Sequence, residues 1–146
     1  MRQYSRFALW TNILVLATII VCSSYYALMQ QYMPYHAEAI NTPWSELAPL
    51  LKIFILSILN ATGGLMFSNA LFITIILYIP FRAGEAWASW AVCIIGTICM
   101  LVGLRASLSV DILTAANPPW QIFIIMILLM WLANVLQIRH LYLLNK

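Results

Sequence analysis

Lys52, Arg105, Glu46, Asp111, His36 and Glu38 are the side chains of this sequence whose types could do chemistry, and all six fall at one kind of boundary. Lys52 sits just inside the start of one long apolar stretch and Arg105 at the end of the next. Three of the chain's four acids therefore share a boundary with two cations and a histidine. An ionisable group at membrane depth is costly unless it is paired or reaches the interface, which makes these six candidate ligand-binding residues. Acting together, Arg105 and Lys52 would hold an anionic headgroup or carboxylate, with the acids and His36 tuning them. Same-helix pairing is poor, because Glu46 lies six residues before Lys52 and Asp111 six after Arg105. Pairs across helices are expected instead, Lys52 with Asp111 or Arg105 with Glu46. The competing structural role is anchoring: both cations lie within about two turns of an interface, a distance over which long side chains snorkel. Asn60 is a further candidate, a polar group in the middle of a span.

Other chemistries find less support. His36 is in a connection and His140 follows the last apolar stretch, so no pair of histidines is placed to hold a haem between helices. A metal site from His36, Glu38 and Met33 would have no helix spacing to fix its geometry. The cysteines Cys22, Cys93 and Cys99 form no CxxC pair and read as small buried hydrophobes. No carboxylate lies mid-span, which argues against a compact proton-coupled carrier. Asn60-Ala61-Thr62 matches a glycosylation sequon but lies within a span. The sequence calls for no cofactor and no metal. With no basic patch or stripe, it gives no support to nucleic-acid binding.

The elements that must position these residues are four apolar stretches, 7–29, 50–79, 86–104 and 120–138. Each reaches the ~20 residues that a helix needs to cross a hydrocarbon core of about 30 Å. Hydrophobic residues make up 64% of the chain and charged residues 8%, against about 25% charged in a soluble domain. The first stretch follows Arg2 and Arg6, but it is longer than the ~7–15 apolar residues of a leader and is read as a retained helix. Short connections make successive helices antiparallel neighbours. The expected fold is thus all-α, an antiparallel four-transmembrane-helix bundle forming one integral membrane domain. Arg2, Arg6, Arg82, Arg139 and Lys146 all fall on the side of the termini, while segments 30–45 and 109–119 carry no Lys or Arg. By the positive-inside rule both termini are cytoplasmic.

Within that frame, 31–45 is the longest loop, with Thr42 expected to cap a short turn that begins at Pro43. Residues 80–85 form a tight cytoplasmic turn, and Glu85 opens the third span, where a carboxylate suits the helix dipole. Small and polar residues mark the faces expected to meet inside the bundle. They are Asn12, Ser23, Tyr26 and Gln30 on the first span and Ser57, Asn60, Gly64 and Ser68 on the second. On the third they are Ser89, Gly96, Gly103 and Ser107, and on the fourth Trp131, Asn134 and Gln137.

Met33-Pro34-Tyr35-His36 with Pro43-Trp44, Gly63-Gly64, the run from Ile79-Pro80-Phe81-Arg82 through Ala83-Gly84-Glu85-Ala86-Trp87-Ala88, Gly103-Leu104-Arg105 with Ser107, and Asp111 with Pro118-Pro119-Trp120 resemble stretches of small four-span bacterial membrane proteins in the neighbourhood of DoxX-like proteins. The resemblance implies a four-helix bundle in a bacterial inner membrane. Because DoxX-like proteins are linked to quinone-dependent oxidoreductases as partner subunits, it also implies an accessory role. The first functional expectation is a non-enzymatic bundle in the lipid bilayer that binds a lipid-like ligand, or that assembles with a membrane protein partner or a second copy of itself. The alternatives are a small membrane enzyme acting on a lipid or isoprenoid, with Glu38, Glu46 or Asp111 as acid–base groups, and a transporter or channel subunit whose path runs past Ser57, Asn60 and Ser68.

Overall fold

The computed structural model describes residues 4–144, so Arg2 and Lys146 lie outside the described residues. Helix α1 (Arg6–Leu28) starts at Ser5, whose hydroxyl accepts from the Ala8 amide at 3.3 Å. A short helix α2 (Pro34–Ile40) follows, then a 3-10 turn at Trp44–Glu46. Helix α3 runs Pro49–Ile76 and continues into a π-helical turn, Leu77–Phe81. Pro80 has no N–H to give to the helix, and the backbone widens around it. Gly84, at φ 84°, then supplies the left-handed residue that turns the chain into α4 (Ala86–Leu113). Helix α5 (Trp120–Leu144) completes the chain. Four of these helices are long and apolar enough to cross a membrane, and the described residues contain no strand. The all-α four-span bundle expected from the sequence is the architecture observed.

Side-chain register shows how the helices pass one another. A Cβ on Gly96 would meet Met130 Cε at 2.9 Å, and one on Gly103 would meet Phe123 Cζ at 2.8 Å. Trp131 Nε1 donates to Thr97 Oγ1 at 3.1 Å, so α4 and α5 are antiparallel along their length. At the end carrying the termini, the Ser5 amide donates to Gln137 Oε1 at 2.8 Å and ties α1 to α5. Helix α3 packs closely on α1, because Gly63 lies against the backbone of Tyr26 and Ala27. Helices α3 and α4, although joined by the shortest connection, pack least against each other among the neighbouring helices. The ring is therefore tight from α3 through α1 and α5 to α4, and loosest at its closing seam.

Three of the four polar faces turn inward as expected. Asn12, Ser23, Ser89, Gly96, Asn134 and Gln137 are buried, although Trp131 and Gln30 stay exposed. The face expected on α3 does not turn inward: Ser57, Gly64 and Ser68 are exposed, and a Cβ on Gly64 would meet nothing within 4 Å. The reason is a choice between adjacent glycines. Gly63, about 100° around the helix from Gly64, makes the close approach to α1, which turns the Gly64 side to the bundle exterior. Helix α4 also extends to Leu113, so Arg105 and Asp111 belong to the helix itself.

Several buried polar atoms in this packing are unserved, those of Asn134 above all. Both amide atoms of Asn134 lack a hydrogen-bond partner, as does Ser89 Oγ, although each residue is only 2% exposed. An unsatisfied buried amide costs roughly 1–3 kcal/mol, whereas an apolar group of the same shape costs little. Asn134→Leu is expected to raise the melting temperature of the detergent-solubilised protein. A lowered value would show that the amide is served in the folded protein.

Candidate functional site

The most enclosed space in the bundle is a cavity of about 360 Å³ between all four long helices, closed at one end by α2. Its deep part is formed by Ile19 of α1, Met66 of α3, Met100 of α4 and Met126 of α5. Its capped end is formed by Tyr26, Met33, Tyr35, His36, Ser107, Val110 and Pro119. The cavity has a local origin. Gly103 leaves the space into which Phe123 projects, and the loose seam between α3 and α4 keeps Thr62 and Ala106 from closing over it.

Helix α2 carries the polar end, and the sequence reading of 31–45 as loop overlooked it. The available signal was Pro34, pre-set for the first position of a helix, followed by Asn41 in the left-handed conformation that ends it at φ 49°. The turn after it begins one residue later than expected, with Pro43 in the capping position and Trp44 as the first residue of the turn. The Tyr32 hydroxyl donates to the Thr42 carbonyl and holds this connection over the bundle.

Two polar pairs define the capped end. The hydroxyls of Tyr26 and Tyr35 are 2.5 Å apart, linking α1 to α2. His36 Nδ1 accepts the Met33 amide at 3.1 Å, which leaves Nε2 as the nitrogen that carries the proton of the neutral ring. Burial lowers the His36 pKa below its ordinary value and favours that neutral ring. Burial and the bond to Tyr26 push the Tyr35 phenol well above the ordinary tyrosine range, so the Tyr35 hydroxyl keeps its proton at physiological pH. Thr18 Oγ1 and Thr62 Oγ1 donate back to the Leu14 and Ile58 carbonyls at 3.1 and 2.8 Å, leaving only their lone pairs toward the cavity.

Of the six boundary residues and Asn60 proposed as ligand-binding candidates, only His36 lines this cavity. Arg105 is exposed on the outer side of α4, over a shallow surface formed by Leu101, Leu104, Leu108 and Ile112. It follows Gly96 by nine residues, which is two and a half turns and places it on the opposite face. The contact of Gly103 with Phe123 sets Arg105 level with the first turn of α5, within snorkelling reach of the boundary. Lys52 bends toward the cap, where Nζ donates to the Ser45 carbonyl at 3.2 Å and lies 5.8 Å from the Trp44 ring. Glu38 and Glu46 are exposed, and Asp111 is half-buried near the end of α4.

The pairs expected between helices, Lys52 with Asp111 and Arg105 with Glu46, do not form among the described residues. The two cations are directed differently, one outward and one into the cap. Asn60 is half-buried with its Oδ1 unpartnered, and it does not line the cavity. Among the described residues no three His, Cys, Asp or Glu side chains gather where they could hold a metal ion. What sequence reasoning missed is the gathering of Tyr26, Tyr35 and Ser107 around His36: Tyr26 and Ser107 were expected on inner helix faces but not in a site, and the three come from three separate helices. Comparison with protein-family models, with curated proteins and with solved structures finds no match for this chain.

Proposed function

We propose that this protein is a non-enzymatic membrane bundle that binds a lipid-like molecule in the cavity between its four long helices. The observation that carries the reading is the cavity's two-part lining, largely apolar over its depth, where the Thr18 and Thr62 hydroxyl protons are spent within their own helices, and polar at the α2 end. An apolar site with a few convergent polar groups is the usual form of a small-molecule pocket, and about 360 Å³ lies in the usual size range. A tail would lie among Met66, Met100 and Met126, whose flexible thioethers adapt to an irregular chain. The seam between α3 and α4 offers entry from the bilayer. Binding is favoured over transport by the floor of the cavity, where Val15, Leu16, Val92 and Met130 fill the interior with apolar side chains.

In this reading the membrane is a bacterial inner membrane and the ends of the chain are cytoplasmic. Arg6, Arg82 and Arg139 support that orientation, because all three gather at the end opposite α2. The test is chemical extraction of lipid from the purified protein. One compound is expected close to one copy per chain and strongly enriched over the surrounding membrane lipid. An extract with the composition of the bulk membrane would overturn the reading.

A further inference from the structure

We infer that the cavity is built for a single-chain amphiphile with an uncharged head, one that accepts hydrogen bonds from His36 Nε2 and from the Tyr26–Tyr35 hydroxyl pair. The inference rests on the ligand-binding reading above and names the class of ligand.

The first argument is the absence of ionised side chains. No Lys, Arg, Asp or Glu lines the cavity, and the two nearby cations are committed elsewhere, Arg105 to the outer face of α4 and Lys52 to the cap. A carboxylate or phosphate head would enter a low-dielectric space with no counter-charge, and an unpaired buried charge is far more costly than a hydrogen-bonded neutral group. His36 does not supply the missing cation. Its Nδ1 accepts the Met33 amide, so protonating that nitrogen would set one donor against another.

The second argument is donor accounting. Two phenolic hydroxyls bring two protons, and one is used between them, so the pair has one O–H left to give. His36 gives an N–H from Nε2, and the Ser107 hydroxyl makes no hydrogen bond to the described residues. Three donors are thus left without a partner among the described residues at the capped end, and each suits a carbonyl, ester or ether oxygen. Donors of this kind left unpaired in an apolar site discriminate strongly against a ligand that cannot use them.

A matched pair of probes separates the possibilities: methyl dodecanoate and dodecanoate at pH 8, each titrated into the full-length protein and followed by native mass spectrometry. The ester is expected to bind at least about tenfold more tightly, the minimum for an unpaired buried charge. That preference should shrink several-fold in both His36→Leu and the double variant Tyr26→Phe/Tyr35→Phe, which removes the donor of the pair outright, while the weak binding of the carboxylate stays unchanged. The double variant keeps the His36 contact to the Met33 amide, so it reports on the head even if His36→Leu disturbs α2. Equal binding of the two probes, or tighter binding of the carboxylate, would overturn the uncharged-head assignment and leave the cavity reading standing. A preference for the ester that survives both substitutions would overturn the assignment of the head to these residues. Binding of neither probe would overturn the ligand-binding reading itself.

Discussion

Replacing Gly63 by leucine is expected to unfold the bundle or lower its melting temperature more than any other single change at a glycine. A Cβ at this position would meet the Ala27 amide nitrogen, with Tyr26 C at 2.7 Å and Ala27 Cα at 2.8 Å. These are backbone atoms, so no rotamer change can relieve the clash. The only relief is to push α1 and α3 apart. In lipid, helices associate through close packing rather than through a hydrophobic drive, and a wider separation forfeits that packing along the whole contact. The expected loss is on the order of 3 kcal/mol, the upper part of the usual range for overpacking. Gly64→Ala is the control, with nothing within 4 Å of its added Cβ, and should leave stability unchanged or slightly raised. Thermal unfolding of the two variants in the same detergent separates the cases. Equal losses at the two positions would show that backbone flexibility, and not the approach of α1, is what the pair provides.

The second large effect is expected on binding. Ser107→Phe places a ring in the capped part of the cavity, between the Tyr26–Tyr35 pair and Val110. Filling an existing space should not lower stability, because empty volume is itself destabilising by about 24 cal/mol per Å³. The variant should therefore fold with an equal or higher melting temperature and lose bound ligand by at least about tenfold, equivalent to 1.4 kcal/mol. This is the opposite signature to that of Gly63→Leu, in which packing fails first. Loss of binding together with loss of stability would mean that the ring has distorted the bundle instead of occupying its cavity.

These two substitutions also show where the sequence could and could not be read. The four spans were legible because the length and apolarity that a bilayer demands are local properties. The inner face of α4 was legible too. Ser89, Gly96, Gly103 and Ser107 recur at helical spacing, and two of the four are glycines that partner side chains enter. The inner face of α3 was not. Its polar arc, Ser57 to Ser68, points outward, while the functional glycine is the neighbour at 63. In a soluble helix the apolar stripe would have decided between them, but in lipid both sides of the helix are apolar and that signal disappears.

The outward direction of Arg105 was available from its half-turn offset to Gly96, yet its charge alone had marked it for a site. Charge at the boundary drew attention to six residues, of which His36 is the one that reaches the cavity. The others followed the logic of the interface, with Lys52 and Trp44 holding the cap and Arg105 level with Trp120. The cavity itself had no sequence signature. It exists where side chains from α1, α3, α4 and α5 fail to meet, and its polar end is completed by a seven-residue helix within what reads as a loop.

The central claim is that the space beneath α2 holds one lipid-like molecule. Native mass spectrometry of the gently extracted protein, with wild type and Ser107→Phe measured side by side, tests it most directly. The wild type is predicted to carry a single adduct of defined mass that survives removal of detergent, and Ser107→Phe to appear at the mass of the bare chain. A bare wild-type chain, or the same adduct on both proteins, would contradict the account.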